Sequence, residues 1–216
     1  WKDIFPKKGE IYFAGALENN EDTGTLQYLA STAMEAGFST RVLDMQALDL
    51  QNGRFFDPAG ELVNRCFKLY PWEWMVDESP DGCLAEMEWL EPIWKLVMSN
   101  KAILATLYEL FPDSPYVLPC YLSRPRSGLF CKKPVFSREG HNVSVVDIRD
   151  WEEYVRIAET EGDYNTGAYV YQEYVEPTAY SGRYPVIGSW IIGGEAAGIG
   201  IRENRMEVTD NLSEFV

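Results

Sequence analysis

The sequence predicts an α+β fold, in which a short strand–helix–strand segment precedes a longer region of strands with interspersed helices. Three observations support this prediction. Apolar residues make up 46% of the 216 residues, a fraction typical of a folded globular chain. Near the N-terminus a short continuous apolar run gives way to apolar residues at helical spacing. In the C-terminal two thirds, short apolar runs alternate with turn residues, as they do in antiparallel sheets.

The N-terminal segment is predicted to form strand, helix and strand. Glu10 to Gly15 is a short apolar run typical of a buried strand. A helix should follow, with Asp22 or Thr23 as its cap and Gly37 at its end, before a second strand from Phe38 to Leu43. This order predicts a parallel crossover, but no Gly-x-Gly-x-x-Gly sequence joins strand to helix, which disfavours a dinucleotide site. The apolar face of the helix comprises Leu26, Leu29, Ala30, Ala33 and Met34.

The later elements alternate between helices and strands. A helix is predicted from Ser99, capped by Ser99 or Asn100 and ended by Pro112. Asp150 and Glu153 form a capping-box pattern that predicts another helix. Strands are predicted at Leu129–Val135, Ala168–Val175, Pro185–Ile192 and Ala197–Arg202, the last two joined by a hairpin turn at Gly193-Gly194-Glu195.

The charge of the chain is strongly acidic. Nineteen Lys and Arg residues against 34 Asp and Glu give a net charge of −15. An acidic surface repels phosphate, so a general nucleic-acid binder is disfavoured. No stretch approaches 18 consecutive apolar residues and no signal peptide is visible, so we expect no contact with a membrane. The chain starts at Trp1 and stops within an apolar run, and we expect it to be a piece of a longer protein.

The cysteine and histidine content limits the possible chemistry. The four cysteines are separated by 17, 37 and 11 residues, spacings that match no zinc or redox motif. Unpaired thiols in a reducing compartment, and hence a cytoplasmic location, are expected. His141 is the one histidine of the chain, which excludes a metal site with several histidines.

Positive charge is concentrated in one segment. The 25 residues from Ser114 to Arg138 contain five Lys or Arg residues and no Asp or Glu. A solvated basic face is one explanation, and a polyanionic ligand such as a nucleoside triphosphate is the other. Within this segment Lys132 and Lys133 end an apolar strand and precede a small polar loop that contains Ser137 and Gly140. A strand that delivers lysine to such a loop is a way to cradle phosphate groups.

Two other segments fit the same interpretation. Lys101 lies in the first turn of a predicted helix, where acidic residues are usually preferred, and a nearby anion would explain it. A solvated lysine would explain it equally well. The strand Tyr169–Val175 has two interpretations. It is either a core strand with one polar face or a hinge that binds an adenine ring. In the hinge, Gln172 and Glu173 come first, and Tyr174 and Val175 form the walls around the ring.

Together these segments resemble the synthetase domain of the glutathionylspermidine synthase family, an ATP-grasp ligase group, and in particular its stand-alone synthetase-like members. The ordered matches run from about residue 10 to the C-terminus. Those that carry the resemblance are Phe67–Met75, Glu91–Lys95, Ser99–Leu104, Leu110–Pro112, Lys132–Gly140, Gly188–Arg202 and Thr209–Leu212.

The resemblance implies an ATP-grasp fold and ATP-dependent carbon–nitrogen ligation. ATP would phosphorylate a glutathione-like carboxylate, and an amine of a spermidine-like polyamine would displace the phosphate. It also implies roles for individual residues. Lys101 and Lys133 would bind the nucleotide, Arg138 would be a mobile-loop arginine near the phosphates, and Arg202 would face the phosphates near the active centre. Glu173 to Val175 would be the adenine hinge.

The resemblance also implies a boundary and an omission. Residues 1–64 are expected to form a small Rossmann-like α/β unit, and residues 65–216 an ATP-grasp portion that is incomplete at both ends. The family's Mg²⁺ ligands lie in a Glu-x-Asn-Ala-Asp-Thr-Pro-like motif upstream of this region, and the chain lacks that motif. The chain alone is therefore expected to be inactive. Two alternatives stay open, namely a non-catalytic nucleotide-binding or interaction domain derived from such a ligase, and an acidic scaffold without a small ligand.

Overall fold

The computed structural model describes residues 1–150, 153–164, 167–208 and 213–216. Within them the chain is a mixed α/β protein with four sheets, and it divides into two compact units, Trp1–Val97 and Met98–Val216. The boundary expected after residue 64 falls inside the first unit, because the strand Arg65–Leu69 pairs with Glu10–Gly15. Of the segments that carry the resemblance, Thr209–Leu212 lies outside the described residues. None of the described helices is long and apolar enough to cross a membrane.

The first unit contains a four-stranded parallel sheet and a small antiparallel sheet. The parallel sheet has the order β2-β1-β6-β7, and the antiparallel sheet has the order β3-β4-β5. The elements in chain order are β1 (Glu10–Gly15), α1 (Asn20–Glu35), β2 (Ser39–Asp44), β3 (Asp49–Gln51), β4 (Arg54–Phe56), β5 (Leu62–Val63), β6 (Arg65–Leu69), α2 (Trp72–Glu78), α3 (Pro80–Cys83) and β7 (Glu88–Leu90), with a 3₁₀ turn at Met45–Ala47 and another at Ile93–Lys95.

The predicted parallel crossover is confirmed, because β1 pairs in parallel with β2 after α1. The cap of the helix was predicted wrongly. Asn19 is the cap, and its side-chain oxygen accepts the backbone N–H of Glu21 at 2.8 Å, so Asp22 and Thr23 lie inside the first turn. Gly37 has a φ of +91°, a left-handed conformation that ends the helix at low cost.

Strand β1 is buried on both faces, which explains its continuous apolar sequence. Ile11 and Phe13 pack with α1 on one face of the sheet. Tyr12 and Ala14 pack on the other face, in a cluster that includes Phe55 of the small sheet. The core of this unit therefore has two layers with β1 between them.

Gly15 ends β1 where the backbone of β6 comes close. A Cβ atom added at Gly15 would lie 2.9 Å from the Leu69 carbonyl oxygen, whereas one added at Gly24 in α1 would have no heavy atom within 4 Å. We expect Gly15→Ala to lower the free energy of unfolding by about 1–3 kcal/mol through overpacking. Gly24→Ala should instead raise it by about 0.5–1 kcal/mol, because alanine is the better helix former. Urea denaturation of the pair measures both, and equal effects would contradict the close approach of β1 and β6.

A buried carboxylate joins β1 and β2 to the turn after β4. Asp57 accepts hydrogen bonds from the backbone of Glu61 and Ala59, from Tyr12 Oη at 3.1 Å and from Arg41 Nη1 at 2.6 Å. The backbone donor of Glu61 is the main cause of a lowered pKa for Asp57, and the hydrogen bond to Asp57 and burial raise the pKa of Tyr12.

A lowered folded-state pKa means that the Asp57 carboxylate stabilises the fold above the ordinary carboxyl range, and that this contribution disappears as the pH falls. Asp57→Asn should therefore lower the thermal midpoint by several degrees at pH 7, with a smaller difference from the parent protein at pH 3. A difference that stays constant between the two pH values would contradict a stabilising carboxylate at this position.

The second unit contains a five-stranded antiparallel sheet of order β11-β10-β9-β12-β8 and a three-stranded sheet of order β13-β14-β15. Helix α4 (Leu96–Ser99) spans the division between the units. The elements that follow are α5 (Ala102–Leu110), β8 (Cys120–Tyr121), β9 (Gly128–Pro134), β10 (Ser144–Ile148), β11 (Tyr154–Glu159), β12 (Tyr169–Glu173), β13 (Tyr184–Ile192), β14 (Glu195–Asn204) and β15 (Glu214–Phe215).

Most predicted elements of this unit are present, but the helix expected from Asp150 is not. The Asp150 carboxylate accepts the N–H of Glu153 at 2.8 Å, as a capping box requires, yet the chain continues as β11 beside β10. This side-chain contact does not by itself fix a helix, and tertiary pairing decides the outcome. The predicted hairpin turn is confirmed, since Gly193 and Gly194 have φ values of +62° and +87°.

Candidate functional site

The candidate site lies on one face of the five-stranded sheet. Helix α5 packs on this face through Ala105, which clusters with Cys120 and Val170. Lys133 is directly opposite Val170 in the register of β9 and β12, so its side chain projects to the same face. The backbone N–H of Lys101 donates to the carbonyl of Val135 at 2.8 Å, which ties the start of α5 to the end of β9. The structure thus brings together two lysines that are 32 residues apart in sequence.

Lys133 is held by a neutral partner. Its Nζ donates to Gln172 Oε1 at 2.7 Å, and it has no carboxylate partner among the described residues. Burial raises the pKa of the Cys120 and Cys131 thiols, and the ammonium of Lys133 partly offsets that rise. The positive charge of Lys133 therefore acts on this face without a neutralising acid, and the two thiols are protonated and unreactive near neutral pH.

Lys101 is the residue before α5 and reaches the loop that follows β9. Its Nζ donates to the Ser137 carbonyl oxygen at 2.5 Å and to Ser137 Oγ at 2.9 Å. The N-cap position of α5 is Lys101 and not Ser99 or Asn100 as predicted, and no side-chain cap hydrogen bond is made there. The Asn100 side chain accepts the N–H of Ala102 at 2.8 Å. The side chain of Lys101 is thus not needed for capping and is directed at the loop.

The loop from Ser137 to Asn142 is tightly bent. Glu139, Gly140 and Asn142 have φ values of +53°, +71° and +55°. The Arg138 carbonyl accepts the N–H of His141 at 2.8 Å, and the Gly140 carbonyl accepts Thr160 Oγ1. The N–H groups of Glu139 and Gly140 donate to no protein acceptor in the described part of the chain. Such a bend leaves backbone donors available for an anion.

The hinge segment has one free backbone donor. The N–H groups of Glu173 and Tyr174 donate to the carbonyls of Pro119 and Leu129 at 2.8 and 3.0 Å. The N–H of Val175 meets no acceptor among the described residues, and its side chain is 59% exposed. Tyr174 Oη donates to Glu207 at 2.9 Å, and burial together with this carboxylate raises the pKa of Tyr174 to about 12.

The two arginines are placed differently. Arg138 lies in the loop next to Ser137, five residues after Lys133 of β9. Arg202 lies on β14, opposite Val186 in register, with its guanidinium 5.9 Å from the ring centre of Phe215. Arg202 thus lies in the three-stranded sheet, whereas Lys133 and the hinge lie in the five-stranded sheet.

The first unit has a crevice that the sequence did not predict. The strand order reverses between β1 and β6, and ligands of open α/β sheets bind at the carboxyl ends of strands at such a point. At this edge Asp44 accepts the N–H of Leu17 at 3.0 Å, and Tyr70 Oη donates to Glu78 at 2.6 Å. A neighbouring cavity of about 170 Å³ has mostly apolar walls. The feature of the sequence that could have revealed this crevice is a pair of apolar strands, each followed by polar or aromatic residues.

Metal binding has no support within the described residues. They contain no group of three or more His, Cys, Asp or Glu side chains placed to hold a metal ion. The Mg²⁺ ligands thus remain expected in the upstream motif named in the sequence analysis, and none of the steps considered below passes through a metal.

The fold has a counterpart among solved structures. It resembles the crystal structure of D-cycloserine synthetase DcsG with a TM-score of 0.55, at 14% identity, over 96% of this chain and 75% of that one.

The family follows from the sequence match. The family model of the glutathionylspermidine synthase preATP-grasp domain matches residues 1–216, and the chain belongs to this family. Relatives include a putative acid–amine ligase of Haemophilus influenzae, 35% identical over 205 residues, which cover 91% of this chain and 52% of the relative. Trypanothione synthetase of Crithidia fasciculata is 35% identical over 236 residues, which cover 96% and 35%.

A third relative is the bifunctional glutathionylspermidine synthetase/amidase of Escherichia coli, 27% identical over 227 residues, which cover 90% of this chain and 36% of the relative. The chain thus spans between 35% and 52% of the length of these three proteins. All three are named as ligases or synthetases, which confirms the predicted resemblance and places the chain in a family of carboxylate–amine ligases.

Proposed function

We propose that the chain is part of an ATP-dependent carbon–nitrogen ligase of the ATP-grasp type, and that its second unit binds the nucleotide. The observation that carries the proposal is that Lys101 contacts the segment just after Lys133: its N–H donates to the Val135 carbonyl and its Nζ to Ser137, while Lys133 Nζ donates to Gln172. Two cations beside a bent loop with free N–H groups suit a triphosphate. We expect phosphate oxygens to replace the Ser137 and Gln172 oxygens as partners of the lysines.

The hinge suits an adenine ring. Val175 offers a free N–H, and adenine N1 is an acceptor, whereas guanine carries an N1–H donor at the same place. The side chains of Tyr174 and Val175 would wall the ring. We therefore expect ATP to bind more tightly than GTP.

The proposed reaction has two steps. An oxygen of a glutathione-like carboxylate attacks the γ-phosphorus of ATP, the bond to the β-phosphate oxygen breaks, and ADP leaves. The nitrogen of a spermidine-like amine then attacks the acyl carbon, the bond to the phosphate oxygen breaks, the amine loses a proton, and inorganic phosphate leaves. Phosphorylation converts a poor electrophile into a good one, and Lys101, Lys133 and Arg138 would stabilise the charge that moves during the transfer.

The organic substrates are proposed from the relatives and from the first unit. Glutathionylspermidine synthetase and trypanothione synthetase are named for polyamine conjugates of glutathione. The crevice at the carboxyl end of β6 carries Asp44 and Glu78 beside Tyr70, a set that suits a cationic amine with an apolar backbone.

A second candidate is a nucleotide-binding domain without catalysis. It would suit a sequence that lacks the family's Mg²⁺ motif. The two candidates differ in turnover. A catalytic chain converts ATP to ADP in the presence of both substrates, and a binding domain does not. We expect the 216-residue chain alone to bind ATP without turnover.

Calorimetric titration with ATP, AMP and GTP tests the proposal. ATP should bind most tightly, AMP should bind weakly because it lacks the β- and γ-phosphates that the lysines would hold, and GTP should be disfavoured at the hinge. Equal affinity for ATP and AMP would show that the lysines do not hold the terminal phosphates.

A further inference from the structure

The face of the five-stranded sheet opposite to Lys133 carries a second cationic cluster. Lys132 is directly opposite both Tyr171 and Ser144 in register, and Tyr154 is opposite Ile148, so these side chains share one face. They surround a cavity of about 60 Å³ lined by Arg124, Lys132, Val146, Ile148, Tyr154 and Tyr171. The consecutive lysines of β9 therefore project to opposite faces of the sheet. Of these two lysines, only Lys133 belongs to the proposed nucleotide site.

The two cations of this cavity, Arg124 and Lys132, have no acidic partner among the described residues. In a chain with 34 acids and 19 bases, such partners are abundant. Carboxylates pair with six arginines of the described residues, namely Arg41, Arg54, Arg65, Arg149, Arg156 and Arg183. Arg124 and Lys132 have none within that part of the chain. Glu159, the acid nearest in register on this face, is already engaged by Arg156 and Ser144.

Contacts with neutral groups hold the two cations in place without neutralising them. The Arg124 guanidinium lies 5.0 Å from the ring centre of Tyr154, and its Nη2 donates to the Asp150 carbonyl at 3.0 Å. Lys132 Nζ lies 4.0 Å from the ring centre of Tyr169. The Nε–H of Arg124 is buried and meets no acceptor among the described residues. A buried donor without a partner is costly, and a bound acceptor would remove that cost.

We propose that this cavity is a second anion site, which takes one phosphate-sized oxyanion between Arg124 and Lys132. A cavity needs about 10–15 Å³ to hold one water, so a volume of about 60 Å³ has room for about four to six water-sized atoms, and phosphate has four oxygens. Arg124 presents a fork of donors to such an anion and Lys132 a point charge, while Val146 and Ile148 form an apolar floor. This anion site is distinct from the proposed nucleotide site, and the proposal does not depend on whether the chain binds ATP.

Titration with inorganic phosphate at constant ionic strength, with chloride as the balancing salt, tests the proposal. Backbone amide NMR of the 216-residue chain reports each face separately. We expect saturable shifts at Val146 and Ile148. Lys132→Gln and Arg124→Gln should each weaken that binding at least about tenfold, whereas Lys132→Arg should retain it. Lys133→Met should leave these shifts in place while altering any shifts of the loop at Ser137 to Asn142.

The control is Arg126→Gln, which removes an exposed cation of the same segment that does not line the cavity. Well-dispersed amide spectra establish that each variant is folded, and Lys132→Arg supplies the comparison if a glutamine variant is not. Absence of saturable shifts at Val146 and Ile148 in the parent chain would overturn the proposal. So would shifts that persist in both glutamine variants, or that Arg126→Gln removes equally.

Discussion

Replacing Lys133 with methionine is expected to weaken ATP binding by about 10- to 150-fold. A hydrogen bond to a charged group contributes about 1.5–3 kcal/mol, and each 1.4 kcal/mol changes Kd about tenfold. Lys133 donates to a neutral amide, so its removal leaves no acid unpaired and should not unfold the sheet. Methionine retains much of the apolar length of the lysine beside Cys120 and Cys131. Calorimetric titration of the variant with ATP measures the loss.

Arg126→Gln is the matched control for this variant. It removes one positive charge from the same basic segment, at an exposed position outside β9. A loss of affinity confined to Lys133→Met indicates direct contact with the phosphates. Equal losses in the two variants would mean that net charge, and not a defined site, attracts the nucleotide. In the complete ligase the same substitution should abolish ATP turnover, and turnover that persists would show that the nucleotide site is elsewhere.

Local patterns were enough to predict the elements that build the candidate site. The end of β9 was visible as an apolar run followed by polar residues, the start of α5 as polar residues before an apolar helix, and β12 as an alternating strand. Their meeting was not visible, because it depends on the hydrogen bond from Lys101 to Val135 and on the register that sets Lys133 opposite Val170. Both are tertiary contacts between residues more than 30 positions apart.

The errors have the same origin. The capping-box pattern at Asp150 and Glu153 is a local signal, and pairing with β10 overrode it. The basic segment was treated as one feature, although β9 sends Lys132 and Lys133 to opposite faces, a consequence of the two-residue period of a strand. The boundary expected after residue 64 came from the resemblance and not from a local pattern. The parallel pairing of β6 with β1 keeps the residues on both sides of it in the first unit.

The largest expected effect on stability is at Phe13. This side chain is fully buried in the layer between the parallel sheet and α1, and its ring centre lies 5.4 Å from that of Trp1 and 5.8 Å from that of Phe67. Phe13→Ala should lower the free energy of unfolding by about 3–5 kcal/mol, because it removes the transfer free energy of the ring and leaves a cavity. Hydrogen exchange of the amides in β1 and α1 measures the loss.

Tyr28→Ala provides the comparison, since it truncates an aromatic side chain of α1 that is 69% exposed. A surface substitution of this kind changes stability by about 0.5 kcal/mol or less. A much larger loss in the free energy of unfolding for Phe13→Ala than for Tyr28→Ala would establish that Phe13, on the helix side of β1, is part of the core of this unit. Similar effects would mean that α1 does not cover that face, and the packing of Leu26 and Ala33 against it would then be wrong as well.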